Sequence, residues 1–220
     1  MSLTIQKLLV ATTNAGKLRD FSAAAGDGVK IEPMPGLASI TAPAEEEDTF
    51  EGNARIKAIY YSKLAPAEIV IADDSGLEVD ALRGLPGVRS ARYADDCGFV
   101  LDASPPLTPD ERNNQCLLTA LRDVPADARI GRYRCALVAA RNGEVLAVGS
   151  GVVEGRILDA AQGTGGFGYD PFFLPEGEKL SMAGLDPSQR MVLSHRGRAL
   201  RDLLQKLSSQ IWDQGSISHK

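Results

Sequence analysis

A chain of 220 residues, 44% hydrophobic and 24% charged, has the composition of a soluble globular protein and the length for one large domain or two lobes sharing a core. Its formal charge of −5 argues against a general nucleic-acid binder, which carries a basic excess, but leaves room for a small anionic ligand gripped by a few local Lys and Arg. The three cysteines, Cys97, Cys116 and Cys135, match neither a zinc pattern nor a disulfide framework, which points to a reducing cytoplasm. The N-terminus lacks a signal pattern and no apolar run approaches a membrane span, so no membrane partner is expected.

In chain order, residues 7–12 (KLLVAT) read as a short buried strand that opens into polar residues. Leu18 and Phe21 predict a helix after Gly16, and residues 29–34 predict a second strand before a proline-rich loop. The acidic run 44–48 leads into a helix, with Asp48 and Glu51 fitting a capping box and the helix ending near Leu64. Residues 68–72 (EIVIA) predict a strand that stops at Asp73-Asp74-Ser75-Gly76. Residues 82–98, rich in Gly and Arg, read as an ordered loop. Thr108-Pro109-Asp110-Glu111 is a strong helix start, with Thr as cap, Pro at the first position and Glu at the third. Residues 130–140 and 144–153 predict a hairpin turning on Asn142-Gly143. Asp186-Pro187-Ser188-Gln189 repeats the capping logic ahead of a C-terminal helix with Leu200, Leu203, Leu204 and Leu207 on one face. Residues 213–220 read as a frayed tail after a single two-lobed domain over 1–212. The mixture predicts an α/β fold with a mixed sheet.

Five clusters carry possible chemistry. Thr12, Thr13, Asn14, Ala15, Gly16 and Lys17 form a strand–loop–helix junction, where backbone N–H groups, a helix N-terminus and a lysine favour an anion. An ordinary turn with a solvated lysine fits the same residues, and both readings stand at this point. Asp73 and Asp74 repel one another unless a cation or a water-activating role balances them; a turn with Asp73 bonded to the backbone is the plainer alternative. Lys57 lies four residues after Asn53 and so shares a helix face with it, although a surface lysine looks the same in sequence. Residues 163–171 (GTGGFGYDP) place Phe167, Tyr169 and Asp170 among bare backbone, in a chain with only six Phe, five Tyr and one Trp. Such a loop suits a flat ring held beside a charge. Ser194-His195-Arg196 contains one of two histidines and is either a helix surface triplet or a set of donors for ligand carbonyls.

Taken together, residues 12–17, 49–58, 71–77, 84–93, 163–171 and 194–197 resemble, in register, the inosine/xanthosine triphosphate pyrophosphatase family. The resemblance implies a two-lobed α/β fold with a mixed twisted sheet and an active-site cleft, a homodimer, and Mg²⁺-dependent cleavage between the α and β phosphates of deaminated purine nucleotides such as ITP, dITP and XTP. It implies that residues 12–17 and Lys57 grip the triphosphate, and that Asp74 is the catalytic carboxylate or metal ligand with Asp73 and Ser75 beside it. Phe167 would stack on the purine, Gly168, Tyr169 and Asp170 would complete that wall, and His195 and Arg196 would read the 6-oxo group. Donors aimed at the 6-position welcome a carbonyl and leave adenine's amino group unmatched.

Two positions depart from the family pattern. Gly52 stands where the family commonly has a metal-ligating Glu, with Glu51 one residue earlier and turned by about 100° on a helix; Glu51 is the remaining metal candidate nearby. Arg190 replaces a Lys and keeps a phosphate-binding charge. A pyrophosphatase for modified pyrimidine or methylated nucleotides and a nucleotide-binding module without catalysis are the rival readings.

Overall fold

The computed structural model describes residues 5–26 and 28–217, with side chains as far as residue 209. Its strands are β1 (Lys7–Val10), β2 (Lys30–Pro33), β3 (Val70–Val79), β4 (Ile130–Arg141), β5 (Glu144–Ile157) and β6 (Phe173–Pro175). They form one sheet in the order β2-β1-β3-β4-β5-β6. β1 pairs in parallel with both β2 and β3, whereas β6 runs antiparallel to β5, so the sheet is mixed as expected. The helices are α1 (Ala15–Ala25), α2 (Phe50–Leu64), α3 (Tyr93–Asp96), α4 (Pro109–Ala120), α5 (Pro187–Leu193) and α6 (His195–Ile217).

The chain divides into two compact units, residues 1–74, 135–151 and 194–220 in one and residues 75–134 and 152–193 in the other. In the first, Leu8 and Val10 of β1, Phe21 of α1, Ile71 of β3, Leu137 of β4 and Leu200 and Leu203 of α6 form a buried core. The leucine face expected on the C-terminal helix is what seals it. In the second, Leu77 and Val79 of β3, Leu117 of α4, Tyr133, Val153, Ile157 and Phe173 form a separate cluster.

Local signals explain most element boundaries. Asn14 caps α1, its Oδ1 accepting the N–H groups of Gly16 and Lys17 at 2.8 and 3.1 Å. The Thr108–Glu111 capping box opens α4 as expected. Asn142 and Gly143 both take positive φ, 49° and 83°, as a two-residue hairpin turn demands.

Three expectations shift. α2 is capped by Thr49, whose Oγ1 accepts the Gly52 N–H at 3.1 Å; this puts Gly52 rather than Glu51 at the third helical position, and no Asp48–Glu51 box forms. β3 does not stop before Asp73 but carries the acidic pair in its middle and continues to Val79, because cations from outside the strand balance the charges. The C-terminal helix is broken before His195 into α5 and α6, and α6 continues to Ile217; residues 218–220 of the expected tail lie outside the described residues.

α6 lies against β5 only because β5 lacks side chains where they meet. A Cβ on Gly151 would overlap the carbonyl oxygen of His195 and stand 2.6 Å from the Ala199 nitrogen. We expect Gly151→Val to cost about 1–3 kcal/mol by overpacking, which lowers the thermal midpoint by about 2–12 °C in a chain of this size. A scanning calorimetry midpoint equal to that of the parent chain would refute this contact.

Candidate active site

Alternation along β3 sends the Asp73 and Asp74 side chains to opposite sides of the strand, and each meets its own cation in the first unit. Asp73 is buried and its Oδ2 lies 2.8 Å from Lys17 Nζ, at the first turn of α1. Asp74 is buried too; its Oδ1 lies 3.4 Å from Lys57 Nζ, and its Oδ2 accepts a hydrogen bond from Asn53 Nδ2 at 3.2 Å. Asn53 and Lys57, one turn apart on α2, therefore grip the two oxygens of one carboxylate. The shared face predicted from their spacing is real, and Lys57 is not a surface lysine.

The two acids titrate in opposite directions. Burial alone would raise Asp73, but Lys17, Arg196 and Lys57 outweigh it and hold the carboxyl well below the usual range. At Asp74 burial prevails, helped by the negative charges of Glu45 and Asp73, and raises the carboxyl despite Lys57 and Lys17. Lys57 is pushed down by burial and up by Asp74, Asp73 and Glu45, with a net rise that keeps it charged.

Glu45 completes this cluster. Its Oε1 lies 2.9 Å from Lys57 Nζ, so one ammonium is bracketed by Glu45 and Asp74. The segment before α2 is pinned in turn by Asn53: its Oδ1 accepts the Glu47 N–H and its Nδ2 donates to the Glu47 carbonyl, both at 3.0 Å. The stem of Glu47 then fills the space over Gly52, where a Cβ would stand 2.7 Å from Glu47 Cβ. Glu51 is not part of the cluster; it is half exposed and paired with Arg55 at 2.7 Å on the same helix.

Thr12 lies between β1 and α1, its Oγ1 accepting the Asn14 N–H at 3.2 Å. Thr13 and Ala15 are exposed and Gly16 is buried. Ser194, His195 and Arg196 are buried, not spread over a helix surface. Arg196 Nη1 bonds Asp20 Oδ2 of α1 at 3.1 Å, and burial together with the Arg196 charge pushes His195 well below the usual histidine value, so its imidazole is neutral at pH 7.

The glycine-rich loop belongs to the second unit, as do Ser75 and Arg190. Asp170 accepts the Phe167 N–H on Oδ2 at 3.1 Å and the Tyr133 hydroxyl on Oδ1 at 3.0 Å. Gly166 has φ +73°, and a Cβ there would overlap the Asp170 carboxylate. Tyr169 is buried with its hydroxyl donating to the Ser90 carbonyl at 2.8 Å. Arg190 Nη1 covers Gly165, 2.5 Å from where a Cβ would stand. Phe167 itself is half-buried.

A family model, the Ham1 family, matches residues 8–206, a span that contains all six segments of the resemblance. The chain belongs to the Ham1 family. It is 54% identical over 209 residues to the dITP/XTP pyrophosphatase of Acidobacterium capsulatum, an alignment covering 94% of this chain and 99% of the relative. The Ham1 protein of Staphylococcus aureus superposes with a TM-score of 0.75 at 33% identity, over 93% of this chain and all of that one. The HAM1 protein of Coxiella burnetii gives 0.76 at 32% identity, with the same coverage.

Sequence reasoning missed two residues in this Ham1 chain. Glu45 sat inside an acidic run with nothing to distinguish it from its neighbours; only its distance to Lys57 marks it. Asp20 is one of several charges on α1, and its partner Arg196 is 176 residues away.

Two predictions follow from this electrostatic arrangement. Asp73 is held below its unfolded value, so its stabilisation is complete above the usual Asp pKa of about 4 and is lost as pH falls below it. Thermal midpoints measured from pH 6 to pH 3 should decline, and Asp73→Asn should make that decline shallower by about one proton's worth; an unchanged slope would remove Asp73 from this role. Gly52→Glu should lower both the thermal midpoint and turnover because Glu47 already fills the site. Gly52→Glu combined with Glu47→Gly should recover the midpoint, and a gain in turnover from Gly52→Glu alone would contradict the packing described.

Proposed function

We propose that this chain is a Mg²⁺-dependent pyrophosphatase that converts nonstandard purine nucleoside triphosphates, ITP, dITP and XTP, to the monophosphate and pyrophosphate, and so clears them from the nucleotide pool. The observation that carries the reading is the Lys57 ammonium bracketed by Asp74 and Glu45 beside the buried Asp73–Lys17 pair, in a chain 54% identical to a dITP/XTP pyrophosphatase. The cytoplasm and a homodimer belong to the same reading, on the family resemblance. No helix among the described residues is long and apolar enough to cross a membrane.

The donor set fits a divalent cation. Asp74 and Glu45 are hard oxygen donors; burial chiefly raises the Asp74 carboxyl, and a cation would offset the negative charges of Glu45 and Asp73 that add to it. Among the described residues no three His, Cys, Asp or Glu converge, so the protein would supply two carboxylates and leave the other positions to water and phosphate oxygens, as suits Mg²⁺. Of the ligands expected from sequence, Asp74 keeps this role, Asp73 is engaged by Lys17, and Glu45 takes the place considered for Glu51. Bound there, Mg²⁺ would neutralise phosphate charge and polarise the bond that breaks.

The reaction is an attack of water on the α-phosphorus, with the bond from that phosphorus to the bridging oxygen breaking and pyrophosphate leaving. Asn53 fixes Asp74 Oδ2, and Oδ1, whose contact with Lys57 is long at 3.4 Å, accepts the proton from water. The raised pKa makes Asp74 a better proton acceptor than an ordinary carboxylate. Lys57 and Lys17 offset charge developing on the phosphates, with the N–H groups opening α1 as further donors, contributed around Thr12, Thr13, Asn14, Ala15 and Gly16. Asp73 stays ionised and holds Lys17 in place. Ser75 and Arg190 are assigned to the substrate's polar groups. Phe167 stacks on the base, backed by Gly168, Tyr169 and Asp170. His195 and Arg196 are assigned to recognition of the 6-oxo group on the resemblance, the neutral imidazole keeping one N–H to donate.

Pyrophosphate release measured on a nucleotide panel with Mg²⁺ should be at least about tenfold faster for ITP, dITP and XTP than for ATP, the discrimination available to matched polar contacts. Equal rates on ITP and ATP, or release of single orthophosphate, would sink the proposal. Asp74→Asn should retain the parent's fold by circular dichroism and lose about 10²–10⁴-fold in turnover; near-normal turnover would remove Asp74 from the role of base.

A further inference from the structure

The glycine-rich loop is held from outside by one helix of its own unit. Asp110 and Asn114 lie one turn apart on α4 and so share a face. Asp110 Oδ2 accepts the Gly168 N–H at 2.8 Å, and Asn114 Nδ2 donates to the Gly168 carbonyl at 3.0 Å. Both peptide groups flanking the Gly168 Cα are thereby tied to α4. Asp170 already holds the Phe167 N–H at 3.1 Å. The peptide before Phe167 and the peptide after it are each anchored by a carboxylate, which fixes the direction in which the Phe167 side chain leaves the backbone.

Asn114 has a further feature. It is 5% exposed, and no donor among the described residues reaches its Oδ1. A buried acceptor left unmatched costs stability, whereas an apolar side chain of similar volume in its place would incur no such cost. Packing therefore gives no reason for an amide at this position; its bond to Gly168 does. Asp110 is exposed and its capped helix start would form without it, since Thr108 and Glu111 provide the capping box.

We propose that Asp110 and Asn114 are positioning residues for the base, holding Gly168 so that the Phe167 ring is presented in one orientation to the purine. This rests on the reading that the 163–171 loop carries the base. Neither residue touches the phosphates or the attacking water in that reading, so both act on nucleotide affinity through Phe167.

Steady-state kinetics with ITP on Asp110→Ala, Asp110→Asn, Asn114→Leu and Phe167→Ala test it, together with inhibition by inorganic tripolyphosphate, which has no base. Asp110→Ala and Asn114→Leu should raise the KM for ITP about three- to thirtyfold, the range for loss of one hydrogen bond to an ordered partner, with kcat changed by less than about twofold. The tripolyphosphate inhibition constant should not move. Asp110→Asn, whose amide oxygen can accept the same N–H, should recover most of the affinity. If Phe167→Ala raises KM while Asp110→Ala does not, the positioning role is overturned and the base-binding loop stands. If Phe167→Ala leaves KM unchanged, the loop reading falls and takes this inference with it. A parallel loss of tripolyphosphate affinity would show general damage to the fold and would likewise overturn the role. Should Asn114→Leu fail to fold, the exposed Asp110 still decides the matter.

Discussion

Two adjacent carboxylates buried in the middle of a strand cannot both pair directly with one cation, because the strand sends them to opposite sides. Each needs its own cation, brought from a different helix. Lys17 reaches Asp73 from the first turn of α1, and Lys57 reaches Asp74 from the middle of α2. These pairings constrain the first unit. β1 must pair in parallel with β3 so that the turn after β1 delivers Lys17 to the acidic pair, and α2 must enter with its Asn53–Lys57 face toward β3. The Thr49 cap and the missing side chain at Gly52 set that entry, the second by leaving room for Glu47.

The same arrangement divides the work between the acids. Asp73 sees more positive than negative charge and is locked as an anion; Asp74 sees Glu45 and Asp73 as well as Lys57, and burial tips it the other way. Two carboxyls on consecutive residues thus differ in basicity through their neighbours alone, the pattern by which acid and base roles are distinguished in an active site. Arg196 extends the alternation of charge by bridging toward Asp20 on α1, which ties the start of α6 to the helix that carries Lys17.

The second unit follows a different design. Its glycine-rich loop is anchored by the buried Tyr169 ring, and its backbone is held by side chains from within that unit: Asp110 and Asn114 on α4, and Asp170 braced by Tyr133. Bare backbone is useful for close approach to a flat ligand only if it does not move, and these bonds supply the rigidity that glycine lacks. In the proposed reading the catalytic acids and lysines belong to the first unit and stacking of the base to the second, each unit with its own core, while His195 and Arg196 for the 6-oxo group belong to the first.

Local chemistry was legible directly from the residues. The Thr108 box, the Asn142-Gly143 turn and the leucine face of α6 depend on neighbours a few positions away, so their spacing suffices to place them. The Asn53–Lys57 face was legible for the same reason, and the six motif segments carried the family. What lay beyond the sequence depends on distant partners. Asp73 and Asp74 read as the end of a strand because nothing nearby could balance them; Lys17 and Lys57, brought in by the fold, let the strand run on. Glu45 was one acid in a run until its contact with Lys57 singled it out, and Glu51 was drawn instead to Arg55. His195 and Arg196 fitted a surface triplet as well as a set of ligand donors until the side-chain-free backbone of Gly151 allowed α6 to settle against β5 and bury them. Charge balance and close packing are pairwise across long separations, and only folding brings those pairs together.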